Sequence, residues 1–245
     1  LMLAGAERRL IDGPSGDLEV SLLLPPHAPT GIALIAHPHP LYGGTMENKI
    51  VQTLARTFVA QGCAAWRLNF RGVGASEGTY DDGRGELDDF RALAAHARSV
   101  HGDLPLTVAG FSFGGYVASH LAPELQPKRL VLVAPAVGRF PVSDVPSTTL
   151  VIHGEEDDVV TLAEVLAWAK PQKLPIVVIP GAGHFFHGDL IRLQQVVRGR
   201  QVKVQPLHQQ RPARLAHRGQ RAPRQRPVTH LPAAGRLRDE ARFDV

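Results

Sequence analysis

One serine in this chain is fenced by glycines. Residues 106–122 read LTVAGFSFGGYVASHLA, which sets Ser112 between Phe111 and Phe113, with Gly110 before them and Gly114 and Gly115 after. The run before the serine has the short, continuous apolar character of a buried strand, and the run after it has a helical pattern. Strand, sharp turn and helix therefore meet at Ser112. A serine on such a turn stands out of the backbone, and the glycines keep neighbouring side chains out of its way. The plainer reading is a tight turn whose serine caps the helix. The rest of the sequence decides between them.

Apolar runs of strand length alternate with helical patterns along most of the chain. Strands are predicted at 18–24, 31–36, 64–70, 106–110, 129–135, 148–154 and 175–181. Helices are predicted at 46–61 with Thr45 as N-cap, at 85–100, at 116–122, and near 161–170 and 187–199. GIALIA at 31–36 is apolar throughout, as a strand covered on both faces should be. The alternation predicts an α/β fold, a mostly parallel sheet with helices on both faces.

Charge divides the chain in two. Of its 245 residues, 27 are Lys or Arg and 23 are Asp or Glu, but residues 195–245 hold 12 of the former and 3 of the latter. The first 194 residues are therefore net acidic by five charges, which removes the support for a nucleic-acid-binding main domain. After about residue 200 the period is lost amid Arg, Pro, Gln and His, and Phe243 is the single aromatic. The expected organisation is one domain over 1–200 and a basic 201–245 tail, disordered or frame-shifted. The tail lacks the aromatics that stack on bases, so no specific nucleic-acid partner is expected. No apolar run reaches membrane-spanning length, and LMLAGAERRL does not read as a signal peptide. The first residue is Leu, which leaves the true start open. The lone Cys63 lies in a strand-like context and reads as a buried thiol of a cytoplasmic protein. Oligomeric state is not set by the sequence.

A serine hydroxyl is a poor nucleophile unless a base takes its proton and a carboxylate orients that base. TTLVIHGEEDDVV ends a strand and then offers Glu155, Glu156, Asp157 and Asp158. PIVVIPGAGHFFHGD ends another and delivers His184 after a Gly-Ala-Gly turn. Serine, acid and histidine thus follow in order, each past the C-terminal end of a strand, where open α/β sheets bind ligands.

These three segments resemble the α/β-hydrolase superfamily. AHPHPLYGGTMENK (36–49) and NFRGVGASEG (69–78) are similar to a small bacterial branch of it, and the resemblance spans about 15–195. It implies Ser112 as nucleophile, His184 as base and Asp157 as acid, the fifth residue of H-G-x-x-D, with Asp158 as the alternative. His187 reads as a surface or capping histidine. One oxyanion donor is expected at the amide after the nucleophile, Phe113. The other belongs to the loop His37-Pro38-His39-Pro40-Leu41, where proline has no N–H, so only His37, His39 and Leu41 can donate. The superfamily's position maps to His39, with Leu41 as alternative.

His37-x-His39 is too small a set for a metal, and the acid and third histidine of a dinuclear pattern are missing. RGVGASEG lacks the spacing of a dinucleotide loop and the Lys of a phosphate loop, so Arg71 there reads as packed or ion-paired. Only 136–148 separates two strands where many superfamily members insert a lid, so no large lid is expected. Tyr42, Phe111, Phe113, Phe185 and Phe186 are the candidate apolar walls of an open site. The expected protein is a serine hydrolase that cleaves an ester-type bond of a small-molecule substrate without a cofactor. The alternatives are a thioesterase or peptidase on the same residues, or a catalytically idle hydrolase-fold binding protein.

Overall fold

The seven apolar runs all become strands in the computed structural model, which describes residues 5–199. The expectations for the 201–245 tail lie outside the described residues. The elements in chain order are β1 (Glu7–Gly13), β2 (Gly16–Leu23), β3 (Gly31–Ala36), α1 (Lys49–Val59), β4 (Cys63–Leu68), α2 (Arg84–His101) and β5 (Leu106–Phe111). There follow α3 (Phe113–Leu125), β6 (Arg129–Val133), β7 (Leu150–Gly154), α4 (Leu162–Gln172), β8 (Ile176–Ile179) and α5 (Leu190–Val197). The strands form one sheet in the order β1-β2-β4-β3-β5-β6-β7-β8. From β4 to β8 all neighbours are parallel, while β1 with β2 and β2 with β4 are antiparallel.

Helices cover both faces. Phe90, Leu93 and Ala97 of α2, Val117 and Leu121 of α3, and Val165 of α4 close one face over Leu34, Trp66, Val108 and Leu132. Ile50, Leu54 and Phe58 of α1 and Leu193 and Val197 of α5 close the other over Ala33, Ile35, Ala109, Val131 and Ile152. Every residue of β3 and β5 is buried, as their unbroken apolar sequences require. After β3 the chain moves outward to β4, and it returns on the other side of β3 as β5. The carboxyl ends of β3 and β5 therefore flank a topological switch point, the place where an open α/β sheet leaves a crevice.

Some boundaries differ from those expected. The N-cap of α1 is Asn48, whose Oδ1 accepts from the Ile50 amide at 2.9 Å. Thr45 instead accepts from the Glu47 amide at 3.2 Å, one turn earlier. The strand expected at 64–70 ends at Leu68. Asn69 and Phe70 leave the sheet to brace neighbouring loops: Asn69 Oδ1 accepts from the Met46 amide, and the Phe70 amide donates to His37 Nε2. Arg71 is ion-paired, with its guanidinium on the buried Asp89 carboxylate at 2.8 Å. No large lid interrupts the chain between β6 and β7. Among the described residues, no helix is long and apolar enough to cross a membrane.

Candidate active site

β5 ends at Phe111, α3 begins at Phe113, and Ser112 carries the whole change of direction at φ +53° and ψ −114°. Such a backbone is strained for any residue but glycine. It is held on both sides. The Ser112 amide donates to Val133 O at 2.9 Å, and Ser112 O accepts from the Gly115 and Ala136 amides at 2.8 and 3.2 Å. The glycine fence is steric: a Cβ on Gly110 would overlap the Gly114 carbonyl, and one on Gly114 would overlap the Ala36 carbonyl at the end of β3.

The loops after β7 and β8 bring Asp157 and His184 to this turn. His184 Nε2 lies 3.1 Å from Ser112 Oγ, and His184 Nδ1 lies 2.7 Å from Asp157 Oδ2. All three residues are buried. The ring of Phe111 backs the imidazole at 5.1 Å between centroids. Asp157 Oδ1 accepts from the amides of Val159 and Val160 at 2.9 and 2.8 Å, which fixes the carboxylate plane. Burial pushes the Asp157 carboxyl upward, but hydrogen bonds from His184 and the Val160 amide outweigh it and hold the group below the usual carboxylate range. Asp157 is thus an anion beside the imidazole. It selects the tautomer with the proton on Nδ1, which leaves Nε2 free to accept the serine proton. Asp158 is exposed, as is His187, whose ring lies 5.9 Å from that of Phe185.

The HPHP loop after β3 forms the facing wall. His37 is fully buried, with Nε2 accepting from the Phe70 amide at 3.1 Å and Nδ1 donating to Pro38 O at 2.5 Å. Burial lowers its pKa to about 3, so it stays neutral, and both ring nitrogens are engaged. The ring of His39 accepts the Leu41 amide at Nδ1 and meets the Tyr80 hydroxyl at Nε2. The Leu41 amide is therefore spent on the loop itself. The amides of His39 and Phe113 donate to no backbone or side-chain group among the described residues.

A cleft of about 600 Å³ opens over Ser112. Tyr42 and Phe185 line it as expected, Phe113 borders it although its ring is buried in the core under α3, and Phe140, Val160 and Arg139, which the sequence did not single out, line it as well. Phe111 and Phe186 do not. Both are fully buried and belong to the core on the α1 and α5 face. Phe111 lies there because it shares its strand face with Ala109, and Phe186 because its φ of +50° turns the chain and directs the ring inward.

The comparisons agree with this architecture. The family model described as serine aminopeptidase, S33, matches residues 32–142. A lidless α/β serine hydrolase of Xanthomonas campestris is 38% identical, with a TM-score of 0.76 over 81% of this chain and 94% of its own. An α/β serine hydrolase homologue of Coxiella burnetii is also 38% identical, with a TM-score of 0.74 over 81% of this chain and 98% of its own. An uncharacterised protein of Rickettsia prowazekii is 32% identical over 197 residues, 71% of this chain and 80% of the relative. The chain belongs to the α/β serine hydrolases, in the branch without a lid.

Proposed function

We propose that the protein is a carboxylic ester hydrolase that works through an acyl-enzyme. Ser112 Oγ attacks the ester carbonyl while its proton passes to His184 Nε2, and Asp157 balances the imidazolium that forms. The Phe113 and His39 amides stabilise the oxyanion, and Pro38 and Pro40 stiffen the loop that carries His39, so this donor is preorganised. Collapse of the tetrahedral species breaks the ester C–O bond, and His184 returns the proton to the departing alkoxide. Water then attacks the acyl-enzyme with His184 again as base, which releases the acid and restores Ser112. No cofactor takes part.

The observation that carries this reading is the unbroken hydrogen-bonded line from Ser112 through His184 to Asp157 at the floor of an open cleft. A fold kept only for binding has no use for a base so oriented. An aminopeptidase must hold a substrate ammonium, and among the described residues no Asp or Glu lines this cleft. Thioesters use the same chemistry as oxygen esters here. The test is turnover of matched aryl esters, thioesters and anilides by the wild-type protein and by Ser112→Ala. Ester and thioester hydrolysis with a burst of phenol release is expected from the wild type, with turnover about 10⁶-fold lower in the variant. Cleavage of the anilide alone, or a few per cent of activity kept by Ser112→Ala, would overturn the assignment.

A further inference from the structure

Among the described residues, Arg139 is the one charged side chain of the cleft wall that the proposed chemistry does not use. It stands on the short turn 137–140 that follows β6, in the place where relatives of this fold can carry a lid. The turn is tied to the nucleophile. The Phe140 amide donates to Ala136 O at 3.0 Å, and the Ala136 amide donates to Ser112 O at 3.2 Å.

The guanidinium is held in place but little consumed. Arg139 Nη2 donates to Val159 O at 3.0 Å, and Nη1 faces Glu164 Oε1 at 3.5 Å. Glu164 is itself fixed, because its Oε2 accepts from the Thr161 amide and hydroxyl at 2.7 and 2.8 Å. Gly138 makes room for this pairing: its φ is +75°, and a Cβ there would come within 2.7 Å of Glu164 Oε1. An arginine has five N–H donors. Among the described residues, Arg139 gives one of them to an internal hydrogen bond. Among the described residues no carboxylate lines the cleft, and its wall here includes the apolar Phe140 and Val159. An oriented guanidinium with donors to spare is a receptor for a planar or tetrahedral anion.

We propose that Arg139 binds an anionic group, carboxylate or phosphate, on the substrate, so that the preferred esters have an apolar body and carry a negative charge away from the scissile bond. The inference rests on the reading of Ser112 as nucleophile, and it names the substrate class of that site. A single anionic end group reaches Arg139 while the apolar body lies against Tyr42, Phe140 and Phe185. The domain that holds the cleft is net acidic over its first 194 residues, so the attraction is local to Arg139 rather than a property of the whole surface.

The experiment compares kcat/KM for a neutral aryl ester and for matched esters whose acyl chain ends in a carboxylate or a phosphonate. The wild-type protein is expected to favour a charged ester at low salt and to lose that preference as salt is raised. In Arg139→Gln the charged-to-neutral ratio should fall about tenfold, mainly through KM. The side chain is half exposed, and water screens the pair to roughly that size. Arg139→Lys should keep part of the preference. An equal loss for both esters in Arg139→Gln, or a wild-type preference for the neutral ester, would overturn the proposal. Calorimetric binding of the same unreacted esters to Ser112→Ala, with and without Arg139→Gln, supplies a readout that needs no turnover. Loss of the charged ester's advantage in the double variant supports the role of Arg139 even if the wild type hydrolyses neither ester, a result that counts against Ser112 alone. Equal binding of charged and neutral esters to Ser112→Ala contradicts the proposal.

Discussion

Ser112 occupies a backbone conformation that costs on the order of 1–3 kcal/mol in isolation. The strain persists because β6, α3 and the turn after β6 each hold one of its backbone groups. The same logic separates the two aspartates at the end of β7. Asp157 is buried, receives two amides on one oxygen and meets His184 with the other, whereas Asp158 is exposed. Asp157→Asn is expected to lower turnover about 10⁴-fold by favouring the wrong imidazole tautomer, and Asp158→Asn far less. Steady-state rates of the two folded variants check this, and a reversed ranking would move the acid to Asp158. Ser112 and His184 were legible as candidates because each sits in a short motif at a strand end, and Asp157 through the family resemblance; the fold brings the three side chains within hydrogen-bonding distance of one another. The cleft walls were legible only in part. Phe111 and Phe113 look alike as neighbours of Ser112 and both are fully buried, but one ends a strand and packs into the core on the α1 and α5 face, while the other starts a helix, packs into the core on the opposite face and borders the cleft. Arg139 and Phe140 lie in a turn with no motif, and only the fold brings them over Ser112.

At the scale of elements, the site depends on how closely β5, α3 and β3 approach one another. Gly114 lies against the Ala36 carbonyl, so a methyl group there must push α3 away from the end of β3. Gly114→Ala is expected to lose about 1–3 kcal/mol of stability to overpacking. It should also lose about a hundredfold in turnover, because the Phe113 amide and the His39 loop part by a fraction of an ångström to an ångström. Gly115→Ala is the control. Its added carbon would sit 3.1 Å from Pro135, a contact that small shifts relieve, and smaller losses are expected. Thermal melts and kcat/KM of the two variants decide between these outcomes. The apolar strands were readable because burial on both faces removes polar residues from their sequences. β1 was not. Its ERRLIDG buries only Ile11 and pairs along one edge, so its polarity resembles that of a loop. The Gly13-Pro14-Ser15-Gly16 turn that joins it to β2 was the available signal. Asn48 lay three residues beyond the cap read from sequence, since both Thr and Asn cap helices and only the turn at 45–48 selects between them.

For the whole molecule, the buried histidines tie stability to pH. His37 is held neutral to about pH 3 by burial, and burial also lowers the pKa of His153 beneath Asp157. In the unfolded chain a histidine takes up its proton near pH 6.5. For His37 the unfolded state binds more protons between those values, so stability must fall as pH falls, by about 1.4 kcal/mol per pH unit, and His153 acts in the same direction. Asp157, whose pKa is lowered by folding, acts in the same direction at more acidic pH. Urea unfolding followed from pH 7 to pH 4 should show this slope, and His37→Gln should reduce it by about one proton even if its stability at pH 7 is lower. An unchanged slope would place the linkage elsewhere. The proposed function requires one serine held upright beside one histidine, and that requirement has a direct chemical test. A fluorophosphonate probe followed by peptide mapping is expected to phosphonylate the wild-type protein once, on Ser112, at a rate that His184→Gln lowers steeply, and to leave Ser112→Ala unlabelled. Labelling at any other residue, or none on the folded wild-type protein, would contradict the account.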